Sequence, residues 1–345
     1  MQTRRALRLI RRGSTAAWLL LTSPALLAQG TAPSTLTPAS TPAHQIFDLS
    51  LFVITITGAI FLVVGGLLAI ALYRFRARNS DPLGEPAQIY GSTQIELAWT
   101  VIPVLIVVVL FLTTARIIFA IQDAPKPKSA LDVTVIGHQF WWEFRYPKYG
   151  VISANELHIP ASSNTTPEAT FLKLTSADVN HSFWIPRLAG KTDLIANHVN
   201  TMWLDPKTPG LYLGQCAQFC GSQHAMMLLR VYVDTPEQFD AWIRNQKQPA
   251  RQDPVADAGR NVFERQACMN CHTVSGTAAT GRFGPDLTHL MSRATLAAGA
   301  MDNTPENLRQ WIKSPSTFKS GALMPAMQLT DEQLDQVTAY LETLK

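Results

Sequence analysis

Two stretches of the chain are apolar almost without interruption. LFVITITGAIFLVVGGLLAIALY, Leu51 to Tyr73, holds 23 residues without a charge, and LAWTVIPVLIVVVLFLTTA, Leu97 to Ala115, holds 19. Each is long enough to cross the hydrocarbon core of a bilayer as a helix, and the charge-free length argues against a buried hairpin of a soluble protein. After DAPKPK (Asp123 to Lys128) the pattern changes to short alternating runs: LDVTVI from Leu131, FLKLT from Phe171 and LLRVYV from Leu228, separated by Pro, Gly, Asn and Ser. Alternation with period two predicts a β-sandwich of about a hundred residues, ending near Asp234. Pro236 to Ile243 reads as a short helix leading into the polar linker RNQKQPARQDP. From Pro254 the period is helical. One helix begins at Thr304-Pro305 with Leu308, Trp311 and Ile312 facing inward. The last opens on a capping box, Thr330 to Gln333, and carries Leu334, Val337, Tyr340, Leu341 and Leu344 on one stripe.

Charge adds orientation. Of 29 basic residues, Arg4, Arg5, Arg8, Arg11 and Arg12 lie in the first twelve positions, and no acidic residue precedes Asp48. Without those five the chain carries 24 basic residues against 25 acidic, which leaves no footprint for nucleic acid. The basic head runs into AAWLLLTSPALLA (Ala16 to Ala28), too short to span a bilayer, and reads as a secretory signal; Ala25, Ala28 and Ala32 are alternative cleavage points, and a retained anchor is the other reading. Arg74, Arg76 and Arg78 crowd the exit of the first span, whereas Gln29 to Phe47 has no Lys or Arg. The positive-inside rule then puts the short loop in the cytoplasm and everything after about Ile121 outside a plasma membrane. The expected organisation is a signal over 1–28, a linker over 29–45, a transmembrane hairpin over 46–122, a sandwich over 129–235, a linker over 236–253 and a helical domain over 254–345.

The four cysteines carry the chemistry. Cys268, Cys271 and His272 form CMNCH, the attachment signature of a c-type haem, in which two thioethers tether the porphyrin and the histidine becomes an iron ligand. A zinc or thioredoxin-like site would need a second ligand pair or a different setting. Met324 in GALMPAM is the candidate sixth ligand, with Met327 in competition; methionine ligation raises the potential into an electron-transfer range. The other two thiols lie in CAQFCGSQHAMM, Cys216 to Met227. Thiolates select copper(I), zinc or iron–sulfur, and structural zinc rarely enlists a thioether. Two cysteines, one histidine and a methionine are more ligand than a single blue-copper ion requires, and His181 in SADVNHSFWIP offers a second imidazole for a two-copper site.

With these motifs the chain closely resembles subunit II of haem–copper cytochrome c oxidases, in the caa-type variant with a fused cytochrome c. The likeness covers the hairpin, the aromatic run GHQFWWEFRY from Gly137, DVNHSFWIP, GLYLGQCAQFCGSQHAMM, CMNCH, GPDLTHL and LMPAM, in that order. It implies a multidomain membrane protein: a two-helix transmembrane hairpin, a cupredoxin-like β-sandwich and an all-α class I cytochrome c domain. It further implies a dinuclear copper centre bridged by Cys216 and Cys220, with His181, His224, Met227 and the carbonyl of Gln218 completing it. Electrons would pass from a cytochrome c donor through the covalent haem c and the coppers to subunit I, beside subunit III, in a bacterial plasma membrane. Oxygen would be reduced in that partner, since this chain lacks the helices and histidines for it.

Three positions depart from the family's pattern or allow two roles. Gln218 stands where the family commonly has a glutamate that reaches magnesium at the subunit contact, and an amide is a weaker, neutral ligand for that hard cation. Phe140 replaces a tryptophan that accepts electrons from soluble cytochrome c, with Trp141 and Trp142 next to it; the tethered haem is the expected replacement entry point, and aromatic core packing is the other role for all three rings. Glu96, three residues before Trp99, matches a glutamate at a proton-path mouth, and equally suits a helix N-terminus. His138, His158, His198 and His289 show no partners in the sequence and are expected to be structural. The linkers fit a haem domain that swings or docks. The rival readings are an electron-transfer subunit of a nitric- or nitrous-oxide reductase, and a copper-delivery or assembly protein.

Overall fold

A computed structural model describes residues 33–76, 88, 90–128, 130–162, 169–251 and 253–345. The expected signal, the first part of the linker after it and Arg78 of the basic loop lie outside the described residues.

Helix α1 spans Thr41–Arg74 and α2 spans Thr93–Gln122, and their central windows have mean hydropathies of 2.6 and 2.8. Both expose their apolar side chains almost all round, as a helix does that is solvated by lipid rather than by a protein core. Thr55, Thr57, Thr100 and Thr113 return their hydroxyls to carbonyls one turn earlier, so these polar groups leave nothing unsatisfied within the apolar spans. The first helix begins at Thr41, inside the segment expected to be linker. Ser40 and Thr41 hold it there by donating to Asp205, which lies far along the chain in the sandwich.

Among the described residues, ten strands form the two faces of the sandwich: β1 (Leu131–His138), β2 (Trp141–Tyr146), β3 (Val151–Ala154), β4 (Glu156–Pro160), β5 (Thr170–Ser176), β6 (His181–Trp184), β7 (Thr192–Leu194), β8 (Asn200–Leu204), β9 (Gly210–Cys216) and β10 (Leu228–Asp234). One sheet has the order β3-β2-β1-β5-β8 and the other β4-β10-β9-β6-β7, with β1–β5 and β4–β10 parallel. The alternating pattern of β10 buries Leu229, Val231 and Val233 against Trp142, Phe144, Leu172, Leu174 and Phe183. Trp203 on β8 donates its indole N–H to the carbonyl of Ile121, so the same strand region touches the start of α1 and the end of α2.

The region expected to be linker after Thr235 begins with a full helix, α3 (Pro236–Gln246), entered through a capping box of Thr235 and Gln238. Phe239 and Ile243 belong to the sandwich core, so the linker proper is shorter than its polarity suggests.

The C-terminal domain contains α4 (Asp257–Arg265), α5 (Cys268–Cys271), a two-residue ladder of β11 (Thr295–Leu296) and β12 (Met301–Asp302), then α6 (Pro305–Lys313), α7 (Pro315–Phe318) and α8 (Asp331–Glu342). That ladder is a small exception to an all-α domain. The last helix has its capping box and buries Leu334, Val337, Tyr340 and Leu341 against Phe263. Gly259 permits the closest approach, because a Cβ there would lie 1.9 Å from the carbonyl oxygen of Gln336. Leu308 and Ile312 face inward, while Trp311 is half-buried rather than core. The domain rests against the sandwich: Ala294 and Thr295 donate to Glu156, and Lys319 donates to the carbonyl of Phe140.

Candidate functional site

The thiol cluster forms where β6 and β9 pair, with Phe183 opposite Cys216. The chain leaves β9 at Cys216, turns through Cys220 and a short 3-10 turn at His224–Met226, and returns as β10. This path puts Cys216 Sγ 3.8 Å from Cys220 Sγ, both free and 3% exposed. His181 Nδ1 lies 3.9 Å from Cys216 Sγ, His224 Nδ1 3.8 Å from Cys220 Sγ, and Met227 Sδ 3.9 Å from the same sulfur. The carbonyl of Gln218 accepts from Cys216 at 3.2 Å, while its side chain is exposed. Ligand atoms of His181, Cys216 and Cys220 all fall within 4.8 Å of one another in a buried setting. The sulfur separation is far beyond the ~2.05 Å of a disulfide. A cation about 2.3 Å from each thiolate fits the gap, and the donor set is soft.

Electrostatics prepare one thiol ahead of the other. Burial pushes both upward; at Cys216 the neighbouring His181 and the backbone hydrogen bonds outweigh burial and hold the thiol below its usual range. Cys220 is pushed up by burial and then by the charge on Cys216. Burial alone would depress His181, but Asp178 raises it by accepting from Nε2 at 2.8 Å. Because a carboxylate only accepts, that bond fixes the proton on Nε2 and leaves the Nδ1 lone pair facing Cys216. Gly137 makes room for the ring, since a Cβ there would lie 2.7 Å from His181 Cδ2.

The second cluster lies in the C-terminal domain. Ala267, at φ 63°, turns the chain into α5, which carries Cys268 and Cys271, both half-buried. His272 follows in extended conformation, its Nδ1–H donated to the carbonyl of Pro285 at 2.7 Å. A carbonyl cannot donate, so Nε2 is the free lone pair. Burial also holds the ring below its usual range, which favours the neutral imidazole that ligates iron. Gly284 lets the ring lie close against the backbone: a Cβ would come within 2.5 Å of His272 Cε1. An open cavity of about 510 Å³, lined by Met269, Asn270, Thr280, Gly281, Arg282 and Phe283, adjoins this motif. Met324 and Met327 are both half-buried in the loop before α8, and Met327 lines a cavity with Ile312, Leu329 and Leu334.

The remaining sequence candidates are dispersed. Glu96 lies exposed in the first turn of α2. Trp142 is fully buried, edge-on to His181 with centroids 6.0 Å apart; Trp141 is half-buried and stacks on His138 at 4.2 Å. The four histidines without visible partners all have them: His138 pairs with Glu143, His158 with Asp234, His198 with Asn200, and His289 with the carbonyls of Lys345 and Gln248. Asp178, Gly137 and Gly284 went unassigned in the sequence, although Asp178 stands three residues before His181 inside a motif already singled out.

A lipid-exposed hairpin, a sandwich with a buried thiol and imidazole cluster, and a helical domain with a CMNCH motif define a membrane-anchored electron-transfer protein. Family models agree piece by piece: the cytochrome c oxidase subunit II transmembrane domain over residues 31–117, its periplasmic domain over 165–233, and cytochrome c over 256–345. Cytochrome c oxidase subunit 2 of Alkalihalophilus pseudofirmus is 34% identical over 317 residues, covering 90% of each chain. That of Bacillus sp. strain PS3 is 35% identical over 332 residues, covering 90% of this chain and 91% of the relative. The periplasmic domain of subunit II of the cytochrome oxidase of Bradyrhizobium japonicum is 26% identical, with a TM-score of 0.33, over 35% of this chain and 96% of that structure. The chain belongs to the cytochrome c oxidase subunit 2 family and carries a fused cytochrome c domain. It is accordingly a subunit of an oxidoreductase complex, with a copper-binding sandwich and a haem domain.

Proposed function

We propose that this chain is the electron-entry subunit of a terminal oxidase, holding a dinuclear copper centre in the sandwich and a covalently tethered haem c in the C-terminal domain. The reading is carried by the buried thiol pair with an imidazole Nδ1 on either side of it. Cys216, Cys220, His181, His224, Met227 and the Gln218 carbonyl would hold the coppers. Cys268 and Cys271 would tether the haem, and His272 and Met324 would ligate its iron. Bound there, these groups supply one-electron redox steps over a copper pair and an iron.

The chain's own side chains orient and shield. Asp178 fixes the tautomer of His181, and the Pro285 carbonyl fixes that of His272. Burial of both sulfurs and of Trp142 keeps water from the thiolates. Electrons arrive from an external cytochrome c and leave for subunit I, with subunit III alongside. The hairpin sits in a bacterial plasma membrane with both soluble domains on its outer side. The neutral Gln218 makes a magnesium ion at the subunit contact a weak feature of this chain. Trp141, the more accessible of the tryptophan pair, is the candidate auxiliary entry point, and Glu96 the candidate proton-path residue.

The test is an EPR spectrum with copper and haem quantitation on the purified chain. One electron shared equally by two coppers, with one covalent haem, is expected. A single-copper signal or loosely held copper would replace this reading with copper delivery. A Glu96→Ala variant with unslowed proton uptake would remove the proton role.

A further inference from the structure

The seam between sandwich and haem domain holds two buried polar side chains whose partners lie across it. Glu156, on β4 of the sandwich and 3% exposed, accepts from the N–H groups of Ala294 and Thr295 at 2.9 and 3.0 Å and from the Thr295 hydroxyl at 3.0 Å. Lys319, in the haem domain and also 3% exposed, donates to the carbonyl of Phe140 in the sandwich at 2.7 Å and to Ala297 at 2.9 Å. Separating the domains strips Glu156 of these donors and Lys319 of its sandwich acceptor, so the docked pose is self-reinforcing.

Two further contacts aim the seam at the thiol loop. Ser222, between Cys220 and His224, donates to the carbonyl of Ser320 at 3.2 Å. Leu228, directly after Met227, donates its N–H to the carbonyl of Ala298 at 3.1 Å. The loop supplying the second of these carbonyls runs through Ala297, Ala298 and Gly299 at φ 51°, 58° and 81°. Alanine rarely adopts that region, and strained backbone is retained where its geometry is used. The segment beginning at Lys319 continues within five residues to Met324.

We propose that Glu156 and Lys319 are positioning residues that latch the haem domain onto the flank of the Cys216 to Met227 loop, so that the interdomain electron step takes place from this docked pose and not by a swing on the linker. The step moves one electron and breaks no bond: the haem domain is oxidised as the sandwich is reduced. This inference rests on the cofactor reading above. It adds that an external donor meets the haem domain on surface the seam leaves free, such as that around the exposed Phe283.

The experiment compares wild type, Glu156→Ala, Thr295→Val and Lys319→Met as the assembled oxidase. Amide exchange over residues 292–299 reports docking without reference to any cofactor, and the rate of electron passage from haem domain to sandwich after photoreduction reports its use. Wild type is expected to protect the Ala294 and Thr295 amides, and the variants to exchange them about tenfold faster or more. With haem and copper spectra unchanged, the electron step is expected to slow by about tenfold or more, because truncating one partner of a buried hydrogen bond across the seam shifts the docking equilibrium by at least one decade. It should also become viscosity-dependent. Thr295→Val, which removes one hydroxyl, should give the smallest change. Unprotected wild-type amides, or an unchanged electron rate in variants whose exchange has risen, would overturn the latch. Missing copper or haem signals in wild type would instead remove the cofactor reading, and exchange alone would then decide the docking.

Discussion

His181 donates its Nε2–H to Asp178 at 2.8 Å, and this bond decides which ring nitrogen is left for the thiols. Asp178 is itself held by the N–H groups of Gln139 and Val179, and although burial opposes it, those bonds and His181 keep its carboxyl below the usual carboxylate range. Replacing it by alanine frees the imidazole to rotate and lets either tautomer form. Copper affinity of Asp178→Ala is expected to fall about 10- to 100-fold, the usual consequence of losing such an orienting partner. Competition with a copper chelator measures it; unchanged affinity would mean that packing of the ring against Trp142 suffices.

The His272 ring depends in the same way on what lies beneath it. A methyl group at Gly284 would meet Cε1 at 2.5 Å and Nδ1 at 2.9 Å, so the ring must leave the Pro285 carbonyl. Gly284→Ala is expected to lose about 1–3 kcal/mol through overpacking. It should also convert a low-spin haem spectrum toward high spin. Retention of the low-spin spectrum would show that the ring tolerates the displacement.

Periodicity made some parts of this molecule readable and left others hidden. The spans, the strands and the capping box at Thr330 follow from neighbours within a few residues, and the structure places them where the pattern does. The first helix begins earlier than its apolar run because its cap, Asp205, is 164 residues from Thr41. The partner of His158 lies 76 residues away and those of His289 lie 56 and 41 away, beyond any local pattern. The thiols and histidines could be listed from the sequence, but the 3.9 Å approach of His181 to Cys216 depends on β6 pairing with β9. The polar linker is compatible with a haem domain that swings or docks; the buried Glu156 and Lys319 that dock it are ordinary surface residue types until their partners are known.

Asp205 ties the sandwich to the membrane hairpin. Its carboxylate accepts from the Ser40 hydroxyl and from the N–H and hydroxyl of Thr41, serving as an N-cap supplied from another domain and opposing the positive end of the helix dipole. Asp205→Ala leaves the buried Ser40 hydroxyl and the Thr41 N–H short of an acceptor, at a cost of about 1–3 kcal/mol. Thermal unfolding in detergent should register that loss, and cleavage by protease near residues 33–40 should accelerate. Equal cleavage rates in both proteins would show that the Trp203 bond to Ile121 fixes the hairpin by itself.

Helix α3 tests where the sandwich ends. Its Phe239 is 4% exposed and meets Tyr146, Tyr149 and Trp242 with ring centroids 6.1–6.4 Å apart, while Trp242 stacks on His158 at 4.4 Å. If this helix were merely tether, truncating Phe239 would cost little. As part of the core, Phe239→Ala is expected to cost about 3–5 kcal/mol in sandwich stability. Arg244→Ala, on the exposed side of the same helix, should stay within about 0.5 kcal/mol. Denaturant midpoints for the two variants separate the cases, provided the unfolding slope is unchanged. A large effect from Phe239 alone means that the chain is anchored as far as Gln246, and that only the few residues before Pro254 remain to carry any motion of the haem domain.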